Sequence, residues 1–213
     1  MESSAKRGFD KRFYDPRSLL HGFRNIVEHF PEFRSAVRSG RISKAFAEKI
    51  MLAVSAVNGC RYCSYGHART ALTSGVSPQE VDRLLSGEVG HVPADEAPAL
   101  FFAQHYAESG DRPAPDMVQK LVETYGQEKA RDILAHIRMI TFGNLSGNTV
   151  DALLSRLRGC PAEGSSLGSE LVTLALLVLG TPVMAVGIVI RGIFRLGREH
   201  EPGPYTPADR SRA

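Results

Sequence analysis

Tryptophan is absent from this 213-residue chain, and cysteine is scarce, with residues only at positions 60, 63 and 160. A chain of this length buries a core large enough to stand without cross-links, and a C-x-x-C pair suits a redox or metal site better than a disulfide framework. An excess of one charge is also lacking. The balance is +3, and no dense Lys/Arg run occurs, which argues against a nucleic-acid partner. The opening MESSAKRGFDKRFYDP has a basic tint but no apolar stretch behind it. No secretory signal is therefore expected, and a reducing, cytoplasmic setting is the default expectation. Runs of alternating β-branched residues joined by hairpin turns are missing too, which excludes a sheet protein. There is no internal repeat of fixed period.

What is present is helical spacing. Leu19, Leu20, Phe23, Ile26, Val27 and Phe30 predict a helix over 19–33, with Pro31 as its punctuation. Ala45, Phe46, Ile50, Val54 and Val57 form the stripe of a second helix, broken by Asn58-Gly59. A third runs from Cys60 to Ser74, with Gly75 as its stop. Ser77-Pro78-Gln79-Glu80 opens a short fourth through Leu85. Helices over 97–109, 115–125, 127–142 and 148–157 complete the set, with a kink or end expected at Gly143-Asn144 and Gly126 as a stop. The fold class is all-α, with helices around one core.

The expected organisation is a polar segment over 1–18, a helical domain over 19–158 and a Gly/Ser/Pro linker over 159–169. A hydrophobic segment over 170–198 and a polar tail over 199–213 follow. Leu171 to Ile190 (LVTLALLVLGTPVMAVGIVI) carries no charge, and a bilayer-spanning helix needs about 20 such residues. Membrane association through 171–190 is one reading. A buried helix covering an oligomer interface is the other. Gly180-Thr181-Pro182 counts against a straight span and allows a helical hairpin dipping into one leaflet. Arginines flank both ends (Arg156 and Arg158 before; Arg191, Arg195 and Arg198 after), so charge does not fix an orientation.

The chemistry concentrates in EKIMLAVSAVNGCRYCSYGH, residues 48–67. Cys60 and Cys63 form a C-x-x-C pair, with His67 four residues on. On a helix these share a face, because residues three and four apart are neighbours. First-turn N–H groups and the helix dipole favour a thiolate there. His67 lies nearer Cys63 by this count, which makes Cys63 the better nucleophile and Cys60 the resolving thiol. Along a continuous helix Glu48 would stand about 18 Å from Cys60. A fold-back at Asn58-Gly59 could instead bring it to His67, to orient the imidazole and raise its basicity. A thiol served in this way attacks peroxides or disulfides.

Plainer readings stand beside this one. Cys60, Cys63 and His67 could be three ligands of a zinc site, although a closed structural site needs four. Haem attachment requires histidine directly after the second cysteine, where Ser64 stands. A rival reading assigns the thiol pair to a membrane-tethered redox sensor or interaction protein with no significant turnover. His105 and His136 fit as packed or surface residues, Asn144 and Asn148 as groups satisfying backbone at a helix break, and Cys160 as a bystander. Arg61 and Tyr62 could tune the thiols or line the entrance.

The pattern Glu48, Cys60-Arg61-Tyr62-Cys63, His67 resembles the signature of the AhpD-like branch of the carboxymuconolactone decarboxylase superfamily. The following ARTALTSGVSPQEVDRLL and the later FGNLSGNTVDALL are similar as well, so the likeness covers roughly residues 20–158. The resemblance implies an AhpD-like helical bundle that assembles into trimers or hexamers. It implies a thiol peroxidase reducing alkyl hydroperoxides, with no bound cofactor and electrons from a lipoyl-type dithiol carrier. By matching positions, Cys63 would be peroxidatic, Cys60 resolving, and His67 with Glu48 a proton relay acting through water. Tyr62 departs from the pattern, since the alkylhydroperoxidases often carry histidine there. Decarboxylase members generally lack the cysteine pair.

Overall fold

The computed structural model describes residues 9–195, and side chains through residue 192. The first eight residues, Arg198 and the polar tail over 199–213 lie outside the described residues, as does the side chain of Arg195. Among the described residues there are seven helices and no strand: α1 Pro16–Ser39, α2 Lys44–Asn58, α3 Arg61–Thr73, α4 Pro78–Leu85, α5 Ala97–Glu108, α6 Pro115–Leu157 and α7 Leu167–Arg195. The protein is all-α, as its spacing predicts.

Helix α2 is the centre. Ser43 caps its start by accepting the Phe46 N–H, and the left-handed Gly59 (φ 65°) ends it. Eleven of its 15 residues are buried, so it is wrapped rather than amphipathic, with α3, α4, α5 and α6 against it. Ile50, Leu52, Leu84, Leu100, Phe102, Ile133 and Ile137 fill the core around it. Each stabilises the fold by roughly 2 kcal/mol through burial.

Three sequence expectations change in the structure. Pro31 does not end α1, which continues to Ser39. The proline costs a backbone hydrogen bond, but the following turns recover packing and polar contacts. Ala36 is buried, Glu32 meets Arg138, and Ser39 donates to Asp132 at 3.0 Å. Gly126 does break α6 locally (φ 74°, ψ 164°), yet Gly143-Asn144 neither kinks nor ends it. The Asn144 and Asn148 amides are directed into the core instead of toward their own backbone. Finally, α7 is one helix through Gly180-Thr181-Pro182, not a hairpin.

Residues 9–15, expected as part of a polar segment, form a packed strap. The Tyr14 N–H donates to Thr149 Oγ1 at 3.1 Å, the Arg12 carbonyl accepts from Asn148 Nδ2 at 2.8 Å, and Lys11 Nζ lies 2.8 Å from Asp151. The strap thereby crosses α6 next to the α2–α3 junction.

Candidate active site

The fold-back at Gly59 turns α3 against α2, and α6 closes over both. Glu48, in the first half of α2, and His67, at the middle of α3, then face each other. Nδ1 of His67 donates to Oε2 of Glu48 at 2.7 Å, with the carboxylate nearly buried and the imidazole a quarter exposed. With Nδ1 so engaged, Nε2 is the ring nitrogen left to exchange a proton.

Cys60 is the N-cap residue of α3 and has no exposed surface, while Cys63, one turn in, is half-buried. Both are free thiols with Sγ atoms 3.0 Å apart. At that distance the two sulfurs share one proton, and the reduced pair titrates as a unit. The anion is favoured on Cys60. The Cys63 side-chain hydrogen bond, the Cys63 and Tyr62 amides and the Lys11 cation together bring its pKa down to about 6, against the opposing effect of burial. The same negative sulfur, together with burial, pushes the Cys63 thiol up, and a hydrogen bond to Asn144 works in the other direction.

Gly143, Gly147, Lys11 and Asp151 belong to this site and escaped the sequence reading. A Cβ at Gly147 would stand 2.8 Å from Cys60 Sγ and 3.4 Å from the Tyr62 ring, and one at Gly143 would stand 3.9 Å from Cys63 Sγ. These two glycines let α6 lie directly on the sulfurs. Between them Asn144 Nδ2 donates to Ser55 Oγ at 3.0 Å, and its Oδ1 accepts from Asn58 Nδ2 at 3.2 Å. Asn148 Nδ2 donates to the Asn58 carbonyl at 2.7 Å, satisfying backbone at the break between α2 and α3. Asp151 gathers Lys11, Arg61 and the Tyr62 hydroxyl, the last at 3.4 Å. Tyr62 is thus held by its hydroxyl, with the Arg61 guanidinium over its ring at 4.8 Å. The available signal was the four-residue spacing of Gly143-Asn144 and Gly147-Asn148, which reads as paired small and amide residues on one helical face.

His136 is buried, with Nδ1 2.8 Å from the Asp132 carbonyl oxygen. His105 Nε2 accepts the Ala114 N–H at 3.1 Å. Both serve packing. Cys160 lies apart on the α6–α7 connection, its carbonyl accepting the Ser155 hydroxyl.

Residues 25–101 match the family described as carboxymuconolactone decarboxylase. The match contains Glu48, Cys60, Cys63 and His67 and stops before the Gly143–Asp151 face of α6. No curated protein and no solved structure matches the chain.

Proposed function

We propose, from the premise that the chain belongs through residues 25–101 to the carboxymuconolactone decarboxylase family and its AhpD-like superfamily, that it is a thiol peroxidase. Its substrate is a small hydroperoxide and its reductant a lipoyl-type dithiol. The observation that carries the reading is the joining of two pairs across one helix turn: the sulfurs at 3.0 Å and the Glu48–His67 bond at 2.7 Å. A buried carboxylate oriented on an imidazole, next to two thiols sharing a proton, is an acid–base device with a nucleophile attached.

Cys63 is the attacking sulfur, because it is the one a substrate can reach; Cys60 has no exposed surface. The anion at rest on Cys60 accepts the Cys63 proton as the peroxide approaches. The Cys63 thiolate then attacks one peroxide oxygen and the O–O bond breaks. Protonated His67 delivers its proton to the departing alkoxide, giving Cys63 sulfenic acid and an alcohol. Cys60 next attacks the Cys63 sulfur, forming the disulfide and releasing water. A dithiol returns two electrons by exchange, is itself oxidised to its disulfide, and leaves its two protons on Cys63 and His67. Glu48, through its bond to Nδ1, fixes the orientation of the imidazole and leaves Nε2 to carry the transferred proton.

Steady-state consumption of an alkyl hydroperoxide with dihydrolipoamide tests the reading. Cys63→Ser should abolish turnover. Cys60→Ser should allow one equivalent of peroxide to react, leaving a sulfenic acid that dimedone traps. Glu48→Gln should lower kcat by about 10²-fold or more, the usual size of a general acid–base contribution. Full activity in Cys63→Ser would overturn it. Reversible oxidation of the pair without turnover would point to a redox sensor instead.

A further inference from the structure

The family reading does not account for α7. The stretch from Leu167 to Gly192, 26 residues with a mean hydropathy of 2.4 over its most apolar 18-residue window, is long and apolar enough to cross a membrane. Yet α7 is not free to do so as a separate span. A Cβ at Gly180 would stand 2.6 Å from the Phe23 ring, and one at Gly187 3.8 Å from Val27. Arg191 acts on Glu28. These three pairings advance together along both helices, so α1 and α7 lie side by side and run the same way. Glycines at 180 and 187 form the seat for the α1 side chains. At its start α7 is fastened by Glu170, whose buried carboxylate receives Arg156 Nε at 2.8 Å and Ser165 Oγ at 2.6 Å.

A spanning α7 would carry α1 with it. Arg24, Glu28 and His29 would enter hydrocarbon, at a cost of roughly 3 kcal/mol for each charge near the centre. The outward face is nevertheless apolar over its whole length. Leu179 and Val183 are about 70% exposed, and Leu171, Val178, Val186 and Val189 are exposed as well. From Leu171 to Ile190 that face extends for about 30 Å without a charge. Its one hydroxyl, Thr181 Oγ1, turns back onto the Leu177 carbonyl at 2.5 Å, so it presents no donor outward.

We infer that α7 lies in the plane of a membrane surface, its outward face sunk among the acyl chains of one leaflet and the α1 edge at the headgroups. Two observations choose lipid over a second copy of the chain. The face has no aromatic side chain and no arginine, the residues that anchor protein–protein interfaces, and a bilayer needs neither. Exposed Arg17, Arg34 and Arg38 run along α1, and Arg191 closes the far end of the apolar stretch. The α1 glutamates Glu28 and Glu32 are each engaged by a basic partner. This cationic margin suits an anionic leaflet, the pattern of an interfacial helix.

The lack of tryptophan makes the test clean. Val172→Trp, Val183→Trp and Val189→Trp each introduce one reporter into the full chain. The variants are mixed with phosphatidylcholine vesicles, with or without phosphatidylglycerol, carrying bromine at shallow or deep acyl positions. All three should bind more tightly to the anionic vesicles and be quenched equally by the shallow bromine. Val183→Glu should weaken vesicle binding by about tenfold or more, with unchanged helical circular dichroism and thiol reactivity. Deep quenching at Val183→Trp with shallow quenching at the other two would mean a spanning helix and overturn the inference. So would failure to bind either vesicle, or a soluble dimer that Val183→Glu splits.

Discussion

At the sulfur pair the state of one proton depends on groups from two parts of the chain. The Tyr62 and Cys63 amides come from the first turn of α3, and the Lys11 cation from the strap. A thiol with a pKa of about 6 is roughly nine-tenths ionised at pH 7, against about one part in a hundred for an unperturbed thiol near 9. Depression means that the thiolate persists above pH 6 and is lost as the pH falls through that value. Ultraviolet thiolate absorbance of the reduced protein should therefore rise with a midpoint near 6 and a plateau of one thiolate per chain across neutrality. Lys11→Gln removes a favourable charge, so the midpoint should move upward, and Lys11→Arg should restore it. A midpoint that stays in place in Lys11→Gln would remove the strap from the electrostatics of the site. Asp151 retains Arg61 in that variant, so the carboxylate is not stranded.

Among the helices, those with clean spacing and chemical caps are legible in the amino-acid sequence alone. Ser77 and Gly59 punctuate α4 and the α2–α3 turn as the sequence suggests. The Glu48–His67 meeting is legible as a possibility, since a fold-back at Asn58-Gly59 can bring the two helices together, and the structure makes the contact at 2.7 Å. The role of α6 is not legible there. Glycine inside a helical pattern reads as a kink, since its local propensity is poor; only the sulfur lying against it explains why Gly147 is tolerated. Pro31 misleads for the same reason, a local signal outweighed by packing beyond it. These opposing effects make a direct test. At Gly147 alanine gains up to about 1 kcal/mol of helix propensity, but its Cβ would meet Cys60 Sγ at 2.8 Å. Overpacking of that kind costs about 1–3 kcal/mol. Gly147→Ala should lower the midpoint of chemical denaturation and slow Cys60–Cys63 oxidation. Gly66→Ala, on the open side of α3 with nothing within 4 Å of its Cβ, should stabilise the protein by about 1 kcal/mol and raise the midpoint accordingly. If both substitutions stabilise the protein, α6 does not press on the thiols as the geometry requires.

For the molecule as a whole, the question is whether α7 is an appendage on a finished domain or part of it. Composition suggests the former, because the character of the chain changes sharply after the linker. The packing argues otherwise. Leu176 and Leu177 join Phe23 and Phe142 around buried Tyr14, Leu19 and Leu145, a second apolar cluster apart from the one at α2. Phe142 directly precedes Gly143, the residue facing Cys63, so α6 carries the thiol site on one side and the α7 seat on the other. An appended anchor and an integral helix predict opposite results for a chain ended at Gly164. Removing an anchor leaves the domain untouched and more soluble. Removing an integral helix uncovers Phe23 and Phe142 and strips Arg156 of its partner Glu170. Loss of several half-buried leucine and phenylalanine contacts should cost a few kcal/mol in sum. The shortened chain should therefore unfold at lower denaturant than the full chain, and should bind a hydrophobic dye that the full chain in vesicles does not. A shortened chain as stable as the original would return α7 to the status of a tether.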